Sequence, residues 1–133
     1  MASVPRNNKK ILVVEDDPGI LKVVSLALTK GGLDVITASD GEAALQVVQK
    51  EEPHAILLDI NLPKMDGLTL CKKLKEDWRT AAIPVGFVSA QVETAYYKEA
   101  KKMGGLLFLP KPFNPDKLLN FVQLLLASRK EIE

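Results

Sequence analysis

The chain alternates short aliphatic runs with longer stretches whose apolar residues recur every three to four positions. The first run, Ile11-Leu12-Val13-Val14, stops abruptly at Glu15-Asp16-Asp17. A short run with no polar interruption, bounded by charge, predicts a strand buried on both faces. Asp17-Pro18 then reads as a helix N-cap followed by proline in the first turn. Ile20, Leu21, Val24 and Leu28 follow at helical spacing, and Gly31-Gly32 ends the helix. Val35-Ile36 is a short second strand. Asp40-Gly41 opens a second helix with Ala44, Leu45 and Val48 as its apolar stripe, and Pro53 stops it. Ala55 to Leu58 is the third strand, ending at Asp59. The loop from Ile60 to Gly67 carries Pro63 and the turn pair Asp66-Gly67, and a third helix runs from Leu68 to about Glu76. Pro84 to Val88 predicts a fourth strand ending at Ser89, and Glu93 to Met103 a fourth helix stopped by Gly104-Gly105. Leu106 to Leu109 predicts a fifth strand ending at Pro110-Lys111-Pro112. Asn114-Pro115 caps a last helix that runs to about Lys130.

Five such strand-helix units predict an α/β fold, a mostly parallel sheet with helices on both faces and right-handed crossovers. The 133 residues predict one domain, residues 10–130, between a short arm (1–9) and a tail (131–133). Aromatics make up only 5%, so aliphatic side chains must fill the core. Lys plus Arg is 18 and Asp plus Glu is 17, a balance that gives no electrostatic case for direct nucleic-acid or anionic-membrane binding. The lone Cys71 cannot form an internal disulfide or a zinc site and fits a reducing cytoplasm. No apolar run approaches the roughly 18 residues of a membrane span, and the polar N-terminus lacks a secretory pattern.

In an open α/β sheet, ligands bind at the carboxyl ends of the strands. Those ends carry Glu15, Asp16 and Asp17, then Asp59, Ser89 and Lys111. Carboxylates about 4 Å apart repel by roughly 4 kcal/mol per pair at an effective dielectric near 20. A hard divalent cation offsets such a cluster, and Mg²⁺ binds through few carboxylates plus phosphate and water. Lys111 suits a phosphate oxygen, Ser89 offers a hydroxyl donor, and an aspartate is a nucleophile toward phosphorus. The residues alone point to Mg²⁺-assisted phosphoryl transfer to a carboxylate.

The segments VVEDDP (13–18), LLDINLPKMDG (57–67), VSA (88–90) and LPKPF (109–113) together resemble the response-regulator receiver domain of two-component signalling. The resemblance covers about residues 9–130, with four motifs in order, each at a strand end. It implies a flavodoxin-like doubly wound (βα)5 fold with strand order 2-1-3-4-5. It implies that Asp59 is the phospho-acceptor and that Glu15 and Asp16, with Asp59 and the backbone carbonyl of Asn61, hold Mg²⁺. It implies that Lys111 and Ser89 pair with the phosphoryl group, that Ser89 and Phe108 form the switch, and that the Lys111-Pro112 peptide is cis. The implied partners are a sensor histidine kinase or phosphotransfer protein and a downstream protein. The latter docks on the face of the fourth helix, fifth strand and fifth helix, with homodimerisation on activation as a further route. Enzymatic action is expected only on its own phosphorylation and dephosphorylation. With no output domain expected within these residues, output passes to a binding partner or a phosphate relay. Ser89 stands where the family more often has threonine, and Pro110, Leu106 and Leu107 make the fifth strand stiffer and more apolar than usual.

Several residues have plainer readings. Asp17 reads as the cap of the first helix, and His54, opposite the acidic mouth, as structural. Cys71 reads as packing among Leu68, Leu70 and Leu74, and Trp78 as a plug at the end of the third helix. Phe108 fits core and switch equally, and the lysines of the third and fourth helices read as solvated faces. Two other functions compete. A binding module that signals without phosphorylation would lack the acidic pair, the acceptor or the lysine, all of which are present. A nucleotide or flavin enzyme would need a glycine-rich cradle in the first turn, which instead reads EDDPG.

Overall fold

The computed structural model describes residues 9–89, 98, 101–102 and 107–128. Its elements are β1 (Lys10–Val14), α1 (Pro18–Lys30), β2 (Asp34–Ala38), α2 (Gly41–Glu51), β3 (Ala55–Asp59), α3 (Gly67–Glu76), β4 (Val85–Ser89), β5 (Leu107–Pro110) and the C-terminal helix α4 (Pro115–Ala127). The strands form one sheet in the order β2-β1-β3-β4-β5, every pair parallel. The helix expected over Glu93 to Met103, its Gly104-Gly105 stop, Leu106, Lys130, and most of the arm and tail fall outside the described residues, save Lys98, Lys101 and Lys102, which are exposed.

The sheet sorts its side chains by parity, because successive residues of a strand face opposite sides. Leu12, Val14, Ile56, Leu58, Val85 and Phe87 join one core with Ala44 and Val48 of α2 and Leu70, Cys71 and Leu74 of α3. Ile11, Val13, Ala55, Leu57 and Val88 join the other, with Val24 and Leu28 of α1 and Leu118, Phe121, Val122 and Leu125 of α4. β3 and β4 are buried along their whole length, which is why their sequences read as unbroken apolar runs. β2 and β5 lie at the edges and are partly exposed.

The helix starts behave as their sequences dictate. Asp17 accepts from the amides of Gly19 and Ile20, Asp40 from Ala43, Asp66 from Thr69 and Asn114 from Lys117. Gly32 takes φ 91° just past α1, where a side chain would be strained. His54 is structural: its Nδ1 accepts the Lys10 amide at 3.0 Å while its own amide donates to the Lys10 carbonyl at 2.8 Å. Trp78 departs from expectation. It plugs nothing and is 87% exposed. The end of α3 is sealed instead by Thr80, whose hydroxyl donates to the Leu74 carbonyl, and by Lys75, whose ammonium donates to the Ala81 and Ile83 carbonyls. Arg79 folds onto Asp77 with two side-chain bonds, and that turn faces Trp78 outward.

Gly67, the first residue of α3, sits hard against the end of β3. A Cβ there would collide with the carbonyl of Asp59 and lie 2.8 Å from the Cα of Ile60. Backbone cannot yield as a side-chain tip can, so Gly67→Ala should cost about 2–3 kcal/mol in denaturant unfolding. Gly19→Ala, whose Cβ would meet only the Asp17 carboxylate at 3.2 Å, should change stability by under ~1 kcal/mol. Burial pushes the Cys71 thiol up to about 11. It should therefore resist a disulfide reagent at pH 8 in the native protein and react fully only when the chain is unfolded.

Candidate functional site

The same parity that builds the core builds the site. Glu15 continues the series Ile11, Val13; Asp59 continues Ala55, Leu57; Lys111 continues Leu107, Leu109. All three therefore lie on the α1 and α4 side of the sheet, at its carboxyl edge. The register pairs Val14 with Leu58, so the next residues, Glu15 and Asp59, come side by side. β4 lies between β3 and β5, so Lys111 crosses two strand spacings, about 10 Å, to reach Asp59. Its long stem makes that span. The Lys111 ammonium donates to Glu15 Oε1 at 3.1 Å and to Asp59 Oδ2 at 3.2 Å. Its own amide donates to the Ser89 carbonyl at 2.8 Å, fixing the end of β5 to the end of β4. The Lys111-Pro112 peptide is cis.

Glu15 is 5% exposed and Asp59 6%. Burial first, then the charge of Asp59, raises the Glu15 carboxyl to about 7, against the opposing bonds from Lys111 and from the Asp17 amide. Such a group holds its proton more tightly folded than unfolded. Its contribution to stability is present below its ordinary range near 4.5 and is lost as pH rises through about 7. Burial works against the Lys111 ammonium too, but its bonds to Glu15 and Asp59 prevail and raise its pKa.

Carboxylate oxygens of Glu15, Asp16 and Asp59 all lie within 4.8 Å of one another. Asp16 is exposed while the other two are buried, so the cluster opens to solvent on one side. Three hard oxygen donors, two of them sharing one lysine, fit a small divalent cation, which keeps part of its water and takes its remaining ligands from carboxylates and phosphate. Asp17 stays outside this set, its carboxylate committed to the cap of α1. Asn61 is placed by its amide, which donates to Asp59 Oδ1 at 3.0 Å. That bond leaves Oδ2 as the oxygen facing Lys111.

Ser89 is fully buried at the end of β4, with the parity of Val85 and Phe87, so it approaches the mouth from the opposite side of the sheet to Glu15, Asp59 and Lys111. Phe108 is half-buried and packs its ring against Phe87, centroids 5.5 Å apart. Sequence reasoning missed the Phe87 partner and the Gly67 contact beneath Asp59. The first was accessible from register, since Phe87 pairs with Phe108. The second needed the angle at which α3 leaves the loop.

Comparison with known proteins agrees with this geometry. The family model described as the response regulator receiver domain matches residues 11–123. The chain is 38% identical over 125 residues to the alkaline phosphatase synthesis transcriptional regulatory protein PhoP of Bacillus subtilis, covering 94% of this chain and 51% of that protein. It is likewise 38% identical over 123 residues to the DNA-binding dual master transcriptional regulator RpaA of Synechocystis, covering 92% of this chain and 51% of that one. The chain thus spans about half the length of these relatives. Among solved structures it matches a response regulator described as putative from Chloroflexus aurantiacus with TM-score 0.86 and 33% identity, covering 91% of this chain and 99% of that one. It matches the chemotaxis protein CheY4 of Vibrio cholerae with TM-score 0.86 and 32% identity, covering 89% and 98%. Fold, strand-end chemistry and similarity over nearly the whole chain agree: this chain belongs to the response regulator receiver domain family, whose members act as phosphorylation switches.

Proposed function

We propose that residues 10–130 form the receiver unit and that Asp59 accepts a phosphoryl group from a phosphohistidine of a sensor kinase or phosphotransfer protein. The observation that carries this reading is the buried carboxylate of Asp59, held between the Asn61 amide on one oxygen and the Lys111 ammonium on the other. A carboxylate so fixed presents a nucleophile of set direction. Its oxygen attacks phosphorus, the P–N bond of the donor breaks as the P–O bond forms, and the imidazole leaves. Glu15, Asp16, Asp59 and the carbonyl of Asn61 would hold Mg²⁺, which when bound supplies positive charge to the phosphoryl oxygens. Lys111 then turns from the two carboxylates to the new phosphoryl group, and the Ser89 hydroxyl donates to it. Movement of Ser89 pulls on the end of β4, and Phe108, resting on Phe87, responds at β5.

The reaction is confined to the protein's own acceptor, which makes the chain a switch and not an enzyme acting on a separate substrate. Its output passes through the face of the fourth predicted helix, β5 and α4 to a downstream protein or a second copy of the chain. The net charge of +1 supports a protein and not nucleic acid as the direct partner of these residues, although several relatives are transcriptional regulators over their full length. No described helix is long and apolar enough to cross a membrane, and a single cysteine, Cys71, supports a cytoplasmic setting.

Acid-quenched intact mass after incubation with acetyl phosphate and Mg²⁺ tests the assignment. The wild type should gain one phosphoryl group, while Asp59→Asn and an EDTA control should gain none. Lys111→Ala should lower the labelling rate by about 10²-fold, the scale of losing one charged stabiliser of the transition state. Full labelling of Asp59→Asn would place the acceptor elsewhere.

A further inference from the structure

The amino end of the sheet, opposite the acidic mouth, carries the chain's single histidine. β1 and β3 pair in parallel from Ile11 with Ala55 to Val14 with Leu58. One step before that register, His54 closes the ladder twice. Its amide donates to the Lys10 carbonyl at 2.8 Å, and its ring Nδ1 accepts the Lys10 amide at 3.0 Å. A parallel strand ordinarily meets such an amide with a backbone carbonyl. The chain before His54 has turned away, through Pro53 and through Glu52, which ends α2 with φ 49°. The imidazole stands in for the missing carbonyl.

That substitution makes the bond conditional. A carbonyl accepts at any pH, whereas a ring nitrogen accepts only while it carries no proton. Because Lys10 donates, Nδ1 holds the lone pair and Nε2 the proton of the neutral ring. A second proton makes Nδ1 a donor, and two donors then face each other in a half-buried place. The charges around the ring do not reverse this. The Lys10 ammonium donates to the Glu51 carbonyl at 3.1 Å and lies 3.6 Å from the Glu51 carboxylate. Asp34 of β2 stands opposite Lys10 in the register. Glu52 and Arg79 border, with His54, a cavity of about 320 Å³, and Arg79 is bonded to Asp77. The Lys75 ammonium donates to the carbonyl of Ile83, on the wall of the same cavity. Asp34, Glu51, Glu52 and Asp77 are half-buried or exposed, so none gives an imidazolium a buried counter-charge. Lys10, Lys75 and Arg79 oppose it.

We propose that His54 is a pH-sensitive lock on the β1–β3 register: the neutral ring holds the start of β1 against β3, and a second proton releases it. A bond made only by the neutral ring lets the folded protein take up this proton at lower pH than the unfolded chain does. The lock therefore stabilises fully above the unfolded chain's titration range and is lost as pH falls through that of the folded protein. Glu15 acts in the opposite sense, its contribution being lost as pH rises. The ladder so locked is the one whose other end sets Glu15 beside Asp59.

The test follows the single histidine by NMR and the Lys10 amide by hydrogen exchange, corrected for intrinsic rate, from about pH 8 to about pH 5, which brackets an ordinary imidazole. In the full chain the ring should titrate at lower pH than in the chain unfolded by urea. Protection of the Lys10 amide should fall about tenfold along the same curve. The Ile56 amide, which donates to the Pro84 carbonyl at 3.0 Å on the other side of β3, should keep its protection. His54→Asn places a carbonyl oxygen where Nδ1 stands and does not titrate, so its Lys10 amide should stay protected throughout. His54→Phe should lack that protection at every pH. A ring that titrates alike folded and unfolded would overturn the inference. So would a Lys10 amide that loses protection in His54→Asn as it does in the wild type, or one that loses it only together with Ile56.

Discussion

One lysine reaching across a strand to two buried carboxylates is the interaction on which this site depends. The ammonium of Lys111 bonds both Glu15 and Asp59, and Asp16 adds a third carboxylate at the solvent side. One positive charge does not balance three negative ones. Burial of two of them sharpens the cost, and the Glu15 carboxyl, raised to about 7, records it. The fold thus carries a destabilised cluster at its functional edge and offsets it with two closely packed cores elsewhere. A cation or a phosphoryl group that changes this balance changes the energy of the whole edge, which is what a switch requires.

The sheet makes that arrangement possible through period-two geometry. Glu15, Asp59 and Lys111 share a face because each lies an even number of residues beyond the core positions of its strand. A slip of one residue in β5 would turn Lys111 to the other side and leave both carboxylates without their cation. The Lys111 amide bonded to the Ser89 carbonyl helps hold that register. Below the mouth, Gly67 lets α3 begin directly against the Asp59 backbone, so the position of Asp59 and the start of α3 are one structural fact.

Much of this was legible in the sequence, for identifiable reasons. β1, β3 and β4 are buried on both faces and therefore read as short apolar runs, the first two ending at carboxylates and the third at Ser89. Asp17, Asp40, Asp66 and Asn114 cap helices by local bonds that need no tertiary context, which is why the starts are predictable. The short strand read at Val35-Ile36 extends over Asp34–Ala38 because pairing with β1 recruits polar neighbours at a sheet edge. Trp78 misled because an apolar residue after a helix suggests a plug. Its direction is set by the Asp77-Arg79 pair and the Thr80 bonds, which no hydrophobic pattern encodes. The Phe87-Phe108 contact is likewise absent from the hydrophobic pattern of either strand and emerges only once β4 and β5 are set in register.

The central claim, that uncompensated carboxylates at this edge oppose folding until a divalent cation joins them, is tested most directly by thermal unfolding near neutral pH in EDTA and in excess Mg²⁺. The account predicts that Mg²⁺ raises the melting temperature of the wild type by several degrees, as binding to the folded state alone must. It also predicts that Asp59→Asn, with one charge removed, melts above the wild type in EDTA and responds less to the metal. A wild type whose melting temperature ignores Mg²⁺, together with an Asp59→Asn protein less stable than the wild type in EDTA, would contradict it.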